Sequence, residues 1–118
     1  MPTVVAAMSG VVTPMIVAAT TGSGTIIACP SSFRNHNFMI TGAAGVTSGA
    51  VQVETSNDPA DAGTWAPLTA SPTTVVATSD VLVSYIGILN FVRARVSTTI
   101  AGGGSPSVNV NYMGSKSY

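Results

Sequence analysis

The side chains that could carry out chemistry are few in this chain of 118 residues. Acid–base and nucleophilic catalysis needs positioned His, Cys, Asp or Glu groups with tuned pKa values, and the sequence holds one His, one Cys and four Asp and Glu residues. His36 lies in the polar run 34–37, so we expect an exposed or hydrogen-bonded side chain, not a catalytic base. Cys29 precedes Pro30, and we interpret this lone cysteine as a small packed residue. The inventory predicts a protein that is not an enzyme and uses no cofactor.

The loop 56–64 is the one place where acidic residues cluster, and Trp65 follows it. Convergent Asp and Asn oxygens can bind Ca²⁺, but the same residue types are typical of turns, so we favour a turn and predict no metal. Trp65 could stack on a sugar ring if exposed. Alternatively it is buried at the mouth of the core and anchors the loop, which we favour. Candidate residues for a ligand-binding loop are Asn57, Asp58, Asp61 and Trp65.

Arg93 and Arg95 share one face of an alternating segment and could meet Glu54 if their strands are neighbours. A planar guanidinium binds carboxylates and carbonyls bidentately, which makes such a pair a good interface donor. Aromatic residues are also enriched at interfaces. The candidate interface residues are Arg93, Arg95, Tyr85 and Phe91.

Strands must position these residues, because alternation of apolar and polar residues recurs along the chain. Three segments alternate clearly, at 51–54, 92–97 and 108–112, as half-buried antiparallel strands do. Further strands are expected near 11–19, 24–29, 36–41, 64–68 and 73–77, separated by Gly, Pro, Ser and Asn clusters. The glycine run 102–104 predicts a hairpin between the second and third alternating segments. The expected fold is all-β, an antiparallel β-sandwich or jelly roll of about eight short strands.

The segment 81–86 does not alternate in polarity. Such a strand must hide both faces, and we expect one face to pack on the core and the other on a neighbouring subunit. Gly87 is expected to mark a bulge or turn before Phe91 re-enters a sheet, because an interior glycine weakens a strand.

Residues 1–118 are expected to form a single domain, since this length buries one core. Within it, residues 1–22 are a possible N-terminal arm that reaches to a neighbouring subunit. The alternative is an irregular edge strand of the chain's own sandwich, because Pro14 cannot donate a ladder hydrogen bond.

The scarcity of charge is the strongest compositional signal. Charged residues make up 7% of the chain and the net charge is zero, against about 25% in an average protein. A monomer of 11.8 kDa exposes roughly 5,900 Å² of accessible surface. Its surface would then carry one charged residue per roughly 700 Å². We therefore expect partners to cover much of the surface. Four basic residues are too few for a nucleic-acid-binding face, and the absence of an apolar run of eighteen residues predicts no membrane span.

The spacing of several motifs resembles that of small β-sandwich structural proteins of tailed bacteriophages. The matching features are a valine strand at 51–54, an E-x-S-x-D loop, the run Gly63-Thr64-Trp65-Ala66-Pro67-Leu68, and the strand 91–97 followed by a glycine turn and a Val-x-Val strand. This resemblance covers roughly residues 38–112. Members of that group serve as capsid cement or decoration subunits, or as tail and fibre components.

The resemblance implies a virion role without choosing among these components, and we favour capsid cement on the outer capsid surface. In that role the chain, made in the host cytoplasm, would form a homo-oligomer, with a trimer favoured, and would bridge subunits of the major capsid protein or another virion protein. The alternative is a tail, fibre or baseplate domain that binds a receptor or glycan through the loop and Trp65.

Overall fold

The strands of this chain follow its alternating apolar residues and β-branched composition. The computed structural model describes residues 4–58, 60 and 65–116. This part of the chain forms ten strands and no helix, so it contains no helical segment able to cross a membrane. The strands are β1 (Val4–Ala6), β2 (Thr13–Ala19), β3 (Ile26–Ala28), β4 (Phe33–Gly42), β5 (Val46–Ser56), β6 (Ala66–Pro67), β7 (Thr73–Thr74), β8 (Asp80–Ile86), β9 (Phe91–Gly102) and β10 (Val108–Lys116).

Two sheets pack face to face, which confirms the predicted β-sandwich. Sheet A has the order β1-β3-β9-β5-β6, with β7 also paired to β5, and sheet B has the order β2-β10-β4-β8. Strand pairs are antiparallel apart from β1 with β3. The sandwich follows from strands that each have one apolar face, since two such sheets bury both faces at once.

The core lies between the sheets and is filled by every second residue of the long strands. In β10 the inward residues are Val108, Val110 and Tyr112, and in β9 they are Val92, Ala94 and Val96, all buried. These positions match the faces that the sequence alternation predicts. Burial at about 25 cal/mol per Å² of apolar surface makes this shared core the main source of stability.

In the single chain, the described N-terminal residues form edge strands of the sandwich, and an arm that reaches a neighbouring subunit stays a prediction. β1 lies at the edge of sheet A beside β3, and β2 lies at the edge of sheet B beside β10. The pairing of β2 shifts register twice, and Ala18 has a φ of 48°. Pro14 and these irregularities explain why the segment alternates poorly in sequence.

The predicted hairpin at the glycine run is wrong, because β9 belongs to sheet A and β10 to sheet B. The run instead carries the chain from one sheet to the other. Gly102 has a φ of 153° and packs against the backbone of Gly45 so closely that a Cβ atom would overlap the Gly45 carbonyl. A glycine turn and two alternating strands look the same in sequence whether the strands pair side by side or face each other across the core.

The strand β8 alternates in burial although its sequence does not alternate in polarity. Val81, Val83 and Tyr85 are half-buried on the inner face, whereas Leu82, Ser84 and Ile86 are exposed on the outer face. Gly87, at a φ of 149°, ends the strand before the chain crosses to Phe91 in sheet A. The inner face packs on the core as expected, and the covering of the outer face stays a prediction.

Gly114 provides space that the core requires, because Tyr112 and Phe33 fill the volume where its side chain would be. We expect Gly114→Ala to lower the free energy of unfolding by about 1–3 kcal/mol, the usual cost of overpacking. Gly103→Ala is the matched control, since no atom lies within 4 Å of a Cβ built there, and it should be near neutral. Urea denaturation of both variants measures the difference, and equal stabilities would contradict this account.

Candidate functional site

The arginine pair lies on the outer face of sheet A, where the register of β5 with β9 brings it to Glu54. Arg93 Nε donates to Glu54 Oε1 at 2.8 Å, and Arg95 Nε donates to Glu54 Oε2 at 3.2 Å. The carboxylate is buried, whereas the side chains of Arg93 and Arg95 are 22% and 42% exposed. The expected contact among these three residues is therefore observed, with the Glu54 carboxylate paired to both guanidinium groups.

Trp65 covers this cluster from outside. The guanidinium carbon of Arg93 lies 4.5 Å from the centre of the indole ring, within the range of a cation–π interaction. The ring is buried, as the sequence analysis favours, but it lies outside the contiguous core between the sheets. Trp65 thus anchors its segment on the back of sheet A instead of closing the core, and little of the ring is accessible for stacking on a sugar.

The polar row of β5 is buried, and part of it bonds to the segment after Trp65. Gln52 donates to Thr69 Oγ1 at 3.1 Å and to the Val53 carbonyl at 3.2 Å. Leu68 N–H donates to the Val53 carbonyl at 2.9 Å. Alternation alone predicts a solvent-facing row at Gln52 and Glu54, whereas both side chains are buried, Gln52 in contact with Thr69 and Glu54 with the two arginines.

The candidate ligand loop is only partly described. Ser56 and Asp58 exchange hydrogen bonds of 3.0 and 3.1 Å, and Asp58 Oδ1 accepts from the Ala60 N–H at 2.9 Å. Asn57 accepts a bond of 2.8 Å from Asn90. These contacts are turn chemistry, and Asp61 lies outside the described residues. Among the residues that are described, no three His, Cys, Asp or Glu side chains form a group suited to a metal ion.

A buried hydrogen-bonded chain joins Cys29, Tyr112 and His36 inside the sandwich. His36 lies within β4 and points inward with Phe38 and Ile40, so the expectation of an exposed side chain is wrong and that of a hydrogen-bonded one is confirmed. The same alternation, His36, Phe38, Ile40 against Asn35, Asn37, Met39, is visible in the sequence. Extending the alternation back from Phe38 and Ile40 places His36 on the inner face.

The geometry fixes the direction of each hydrogen bond in this chain. His36 Nε2 lies 2.9 Å from the Gly87 carbonyl, which can only accept, so Nε2 carries the proton of the neutral ring. Nδ1 then accepts from the Tyr112 hydroxyl at 2.7 Å, and that hydroxyl accepts from Cys29 Sγ at 3.5 Å. Both imidazole nitrogens are thereby engaged within the fold.

Burial sets the protonation states of this chain of groups. It lowers the pKa of His36, with the bond to Gly87 opposing the shift, and it raises the pKa of the Cys29 thiol, with the bond to Tyr112 opposing. Burial also raises the pKa of Tyr112. All three groups are therefore neutral near pH 7, and the thiol is a poor nucleophile because the reactive species is the thiolate.

The predicted interface residues do not form one patch. Arg93, Arg95 and Phe91 point outward from β9 in sheet A, whereas Tyr85 points inward from β8 in sheet B. Tyr85 packs against the core and lies 6.3 Å from the His36 ring, measured between ring centres. Alternation cannot reveal this separation, because it assigns a face of a strand and not the sheet that the strand joins.

A second surface is the outer face of sheet B, of which the sequence analysis anticipated only the part formed by β8. Residues of β4, β8 and β10, together with Val12 before β2, line a shallow groove of about 430 Å³. Its lining consists of Val12, Asn37, Met39, Leu82, Asn111, Tyr112 and Met113. None of the described residues that line the groove is charged. Methionines adapt to varied partners, and depletion of charge is the mark of an interface core.

The charges near this face lie at its two ends. Asp80 begins β8 beside Thr41, and Lys116 ends β10 beside Phe33. Because Thr41 and Phe33 are at opposite ends of β4, the face has an acidic end and a basic end. The basic end also includes Arg34, whose guanidinium donates to the Ser31 carbonyl.

Comparison with known proteins gives no relative: no protein-family model, curated protein or solved structure matches this chain.

The two arginines on Glu54 should differ in what they contribute. Arg93→Met loses an ion pair at a largely buried position together with the contact to Trp65, so we expect it to lower the free energy of unfolding by about 1–2 kcal/mol. Arg95→Met removes the same kind of bond from a more exposed residue and should cost about 0–1 kcal/mol. Chemical denaturation of both variants checks this order, and a larger loss for Arg95→Met would contradict it.

His36 should make stability depend on pH. Its pKa in the folded state is lowered, so the unfolded chain binds a proton first as the pH falls below about 6.5. The contribution of neutral His36 to the free energy of unfolding is present in full above a pH of about 6.5. It is lost as the pH falls from that value through the pKa of His36 in the folded state. We expect the melting temperature to fall from pH 7.5 to pH 5.5 in the parent chain and to change less in His36→Gln. Identical pH profiles would show that another group is responsible.

Proposed function

We propose that this chain is a structural subunit of a bacteriophage virion that acts as capsid cement. In this role it oligomerises, docks on the outer capsid surface and bridges neighbouring capsid subunits. The role is non-catalytic, in keeping with the engagement of both His36 ring nitrogens inside the fold. The sequence resemblance to phage β-sandwich proteins suggests the setting, and the surface of the molecule supplies the physical argument.

The observation that carries the proposal is the groove on the outer face of sheet B, whose described lining is uncharged. Its groove combines exposed apolar side chains, Leu82 and Met113, with amide side chains of Asn37 and Asn111. Apolar contacts flanked by hydrogen-bonding groups are what a buried interface needs. On sheet A the corresponding face carries the ion-paired Glu54, Arg93 and Arg95, with Trp65 packed on Arg93.

Scarce charge supports the same conclusion. Three of the eight charged residues, Glu54, Arg93 and Arg95, bind one another on sheet A. The remaining charges leave the outer face of sheet B without the mixed ionic surface that normally keeps an isolated domain soluble. A subunit repeated over a shell would instead cover this face, and many copies would add avidity to weak single contacts.

A variant of the outer face of sheet B tests the docking surface. Met113→Lys should weaken binding to particles of the encoding phage that lack the chain by at least about tenfold, since it buries an unpaired charge. Val4→Lys makes the same change on sheet A at a position of similar exposure, 45% against 40% for Met113, and should bind like the parent chain. Cosedimentation with the particles measures both.

Particle stability tests the cement role itself. Particles that carry the parent chain should withstand heat and low salt better than particles without it, and Met113→Lys should not restore that resistance. Equal resistance with and without the chain would refute the role. Retention of the chain on purified tails and not on capsids would favour the alternative, a tail or fibre component.

A further inference from the structure

The outer edge of β8 presents backbone groups without a strand to pair with. Gly87 N–H donates to the Arg34 carbonyl at 2.8 Å, and the same register continues through β8 and β4. In an antiparallel ladder every second residue bonds to the same neighbour. The odd-numbered residues of β8 therefore bond to β4, and Leu82, Ser84 and Ile86 direct their N–H and C=O groups away from the sheet. Within the described chain, β8 pairs with β4 alone.

The other sheet edges are short or irregular. β1 has three residues, and β6 and β7 have two each. β2 contains Pro14 and two register shifts, features that prevent a further strand from joining an edge. β8 has seven residues in unbroken register, with neither proline nor lysine. Among the described strands it is the long, regular edge that nothing protects.

We propose that β8 pairs antiparallel with β8 of a second copy of this chain, about a two-fold axis at Ser84. This inference rests on the proposed function, because it supplies the oligomer that the cement role uses. Ser84 lies opposite Ser84 of the second copy, and Leu82 lies opposite Ile86 of the second copy. The outward backbone groups of the three residues then form about six hydrogen bonds.

The side-chain order of β8 fits a second copy because it is nearly the same in both directions. Along the outer face the order is Leu82, Ser84, Ile86, so reversal about Ser84 places apolar opposite apolar. Leu82 is 55% and Ile86 81% exposed in the single chain, and cross-strand apolar pairs are the contacts that stabilise a sheet. On the inner face, half-buried Val83 lies opposite Tyr85 of the second copy.

The charges favour the antiparallel arrangement over the parallel one. Antiparallel pairing brings Asp80 of one copy to the end of the other copy that carries Arg34 and Lys116. Parallel pairing in register would set Asp80 beside Asp80, and like charges directly opposite are destabilising.

The contact also replaces the trimer favoured for the cement role with a dimer. A closed trimer needs a head-to-tail contact between two different surfaces, whereas a two-fold contact uses the same surface twice. The paired edges join the two copies of sheet B into one continuous sheet. The outer faces of both copies then lie side by side, which doubles the surface available for docking.

The first test is native mass by light scattering. The parent chain should show twice 11.8 kDa at about 100 µM and dissociate toward about 1 µM. A variant with Leu82→Glu and Ile86→Glu should be monomeric, as should one with Leu82→Lys and Ile86→Lys, because each sets like charges opposite one another. An equimolar mixture of the two should regain the dimer mass. Failure of the mixture to associate would overturn the register.

Cysteine crosslinking tests the two-fold axis directly. In a Cys29→Ala background, Ser84→Cys should form a disulfide-linked dimer on mild oxidation, since opposite residues of a hydrogen-bonded pair have Cα atoms about 5.5 Å apart. Leu82→Cys is the control. Its two copies would be offset by four residues, about 13 Å along the strands, and should not crosslink. Ser84→Ala should keep the dimer mass, which shows that the Ser84 bond to Asn37 is not required.

The two proposals fail in different ways. A parent chain that is monomeric or trimeric at about 100 µM, or that crosslinks better through Leu82→Cys, would overturn the β8 pairing. If that chain still bound and stabilised particles, the cement role would stand. A dimer with the expected crosslink that neither bound nor stabilised particles would keep the pairing and refute the virion role.

Discussion

The apolar core shared by the two sheets is the interaction on which the rest of this molecule depends. Strands β4 and β10 from sheet B and β5 and β9 from sheet A send alternate side chains into it. Each sheet alone would expose an apolar face, so neither is stable without the other. This requirement explains why the glycine run crosses between sheets: the last two strands face each other through the core instead of pairing edge to edge. It also places Gly114, because the large ring of Tyr112 needs the space beside it.

Polar groups enter this core only where hydrogen bonds compensate them. The chain from Cys29 through Tyr112 to His36 and the Gly87 carbonyl satisfies both imidazole nitrogens without a charge. A buried charge would be costly at this position, and neutralisation is the usual outcome of such burial. The histidine therefore has a structural role, because one of its ring nitrogens links β4 to the residue that follows β8 and the other bonds to Tyr112.

The two outer faces of the sandwich differ in where charged residues lie. On sheet A, Glu54 pairs with two arginines, and Trp65 packs on one of them. On sheet B the groove of the outer face stays open, and its described lining is rich in amide and methionine side chains without a charged one. The open face and the unpaired edge of β8 adjoin each other at Leu82. The proposed docking surface and the proposed pairing edge thus form one continuous region of sheet B. Neither proposed contact involves sheet A.

The sequence by itself determined the fold class, most strand positions and the inward residues of β9 and β10, because alternation and β-branched composition are local properties. It also predicted that Arg93 and Arg95 could meet Glu54, since all three lie on the polar faces of their strands. Only the tertiary structure decided which sheet each strand joins, and with it the separation of Tyr85 from the arginines and the crossing at the glycine run. The covering of Glu54, the burial of His36 and the free edge of β8 were decided in the same way. These features depend on contacts between residues far apart in the chain, and periodicity within a strand carries no information about them.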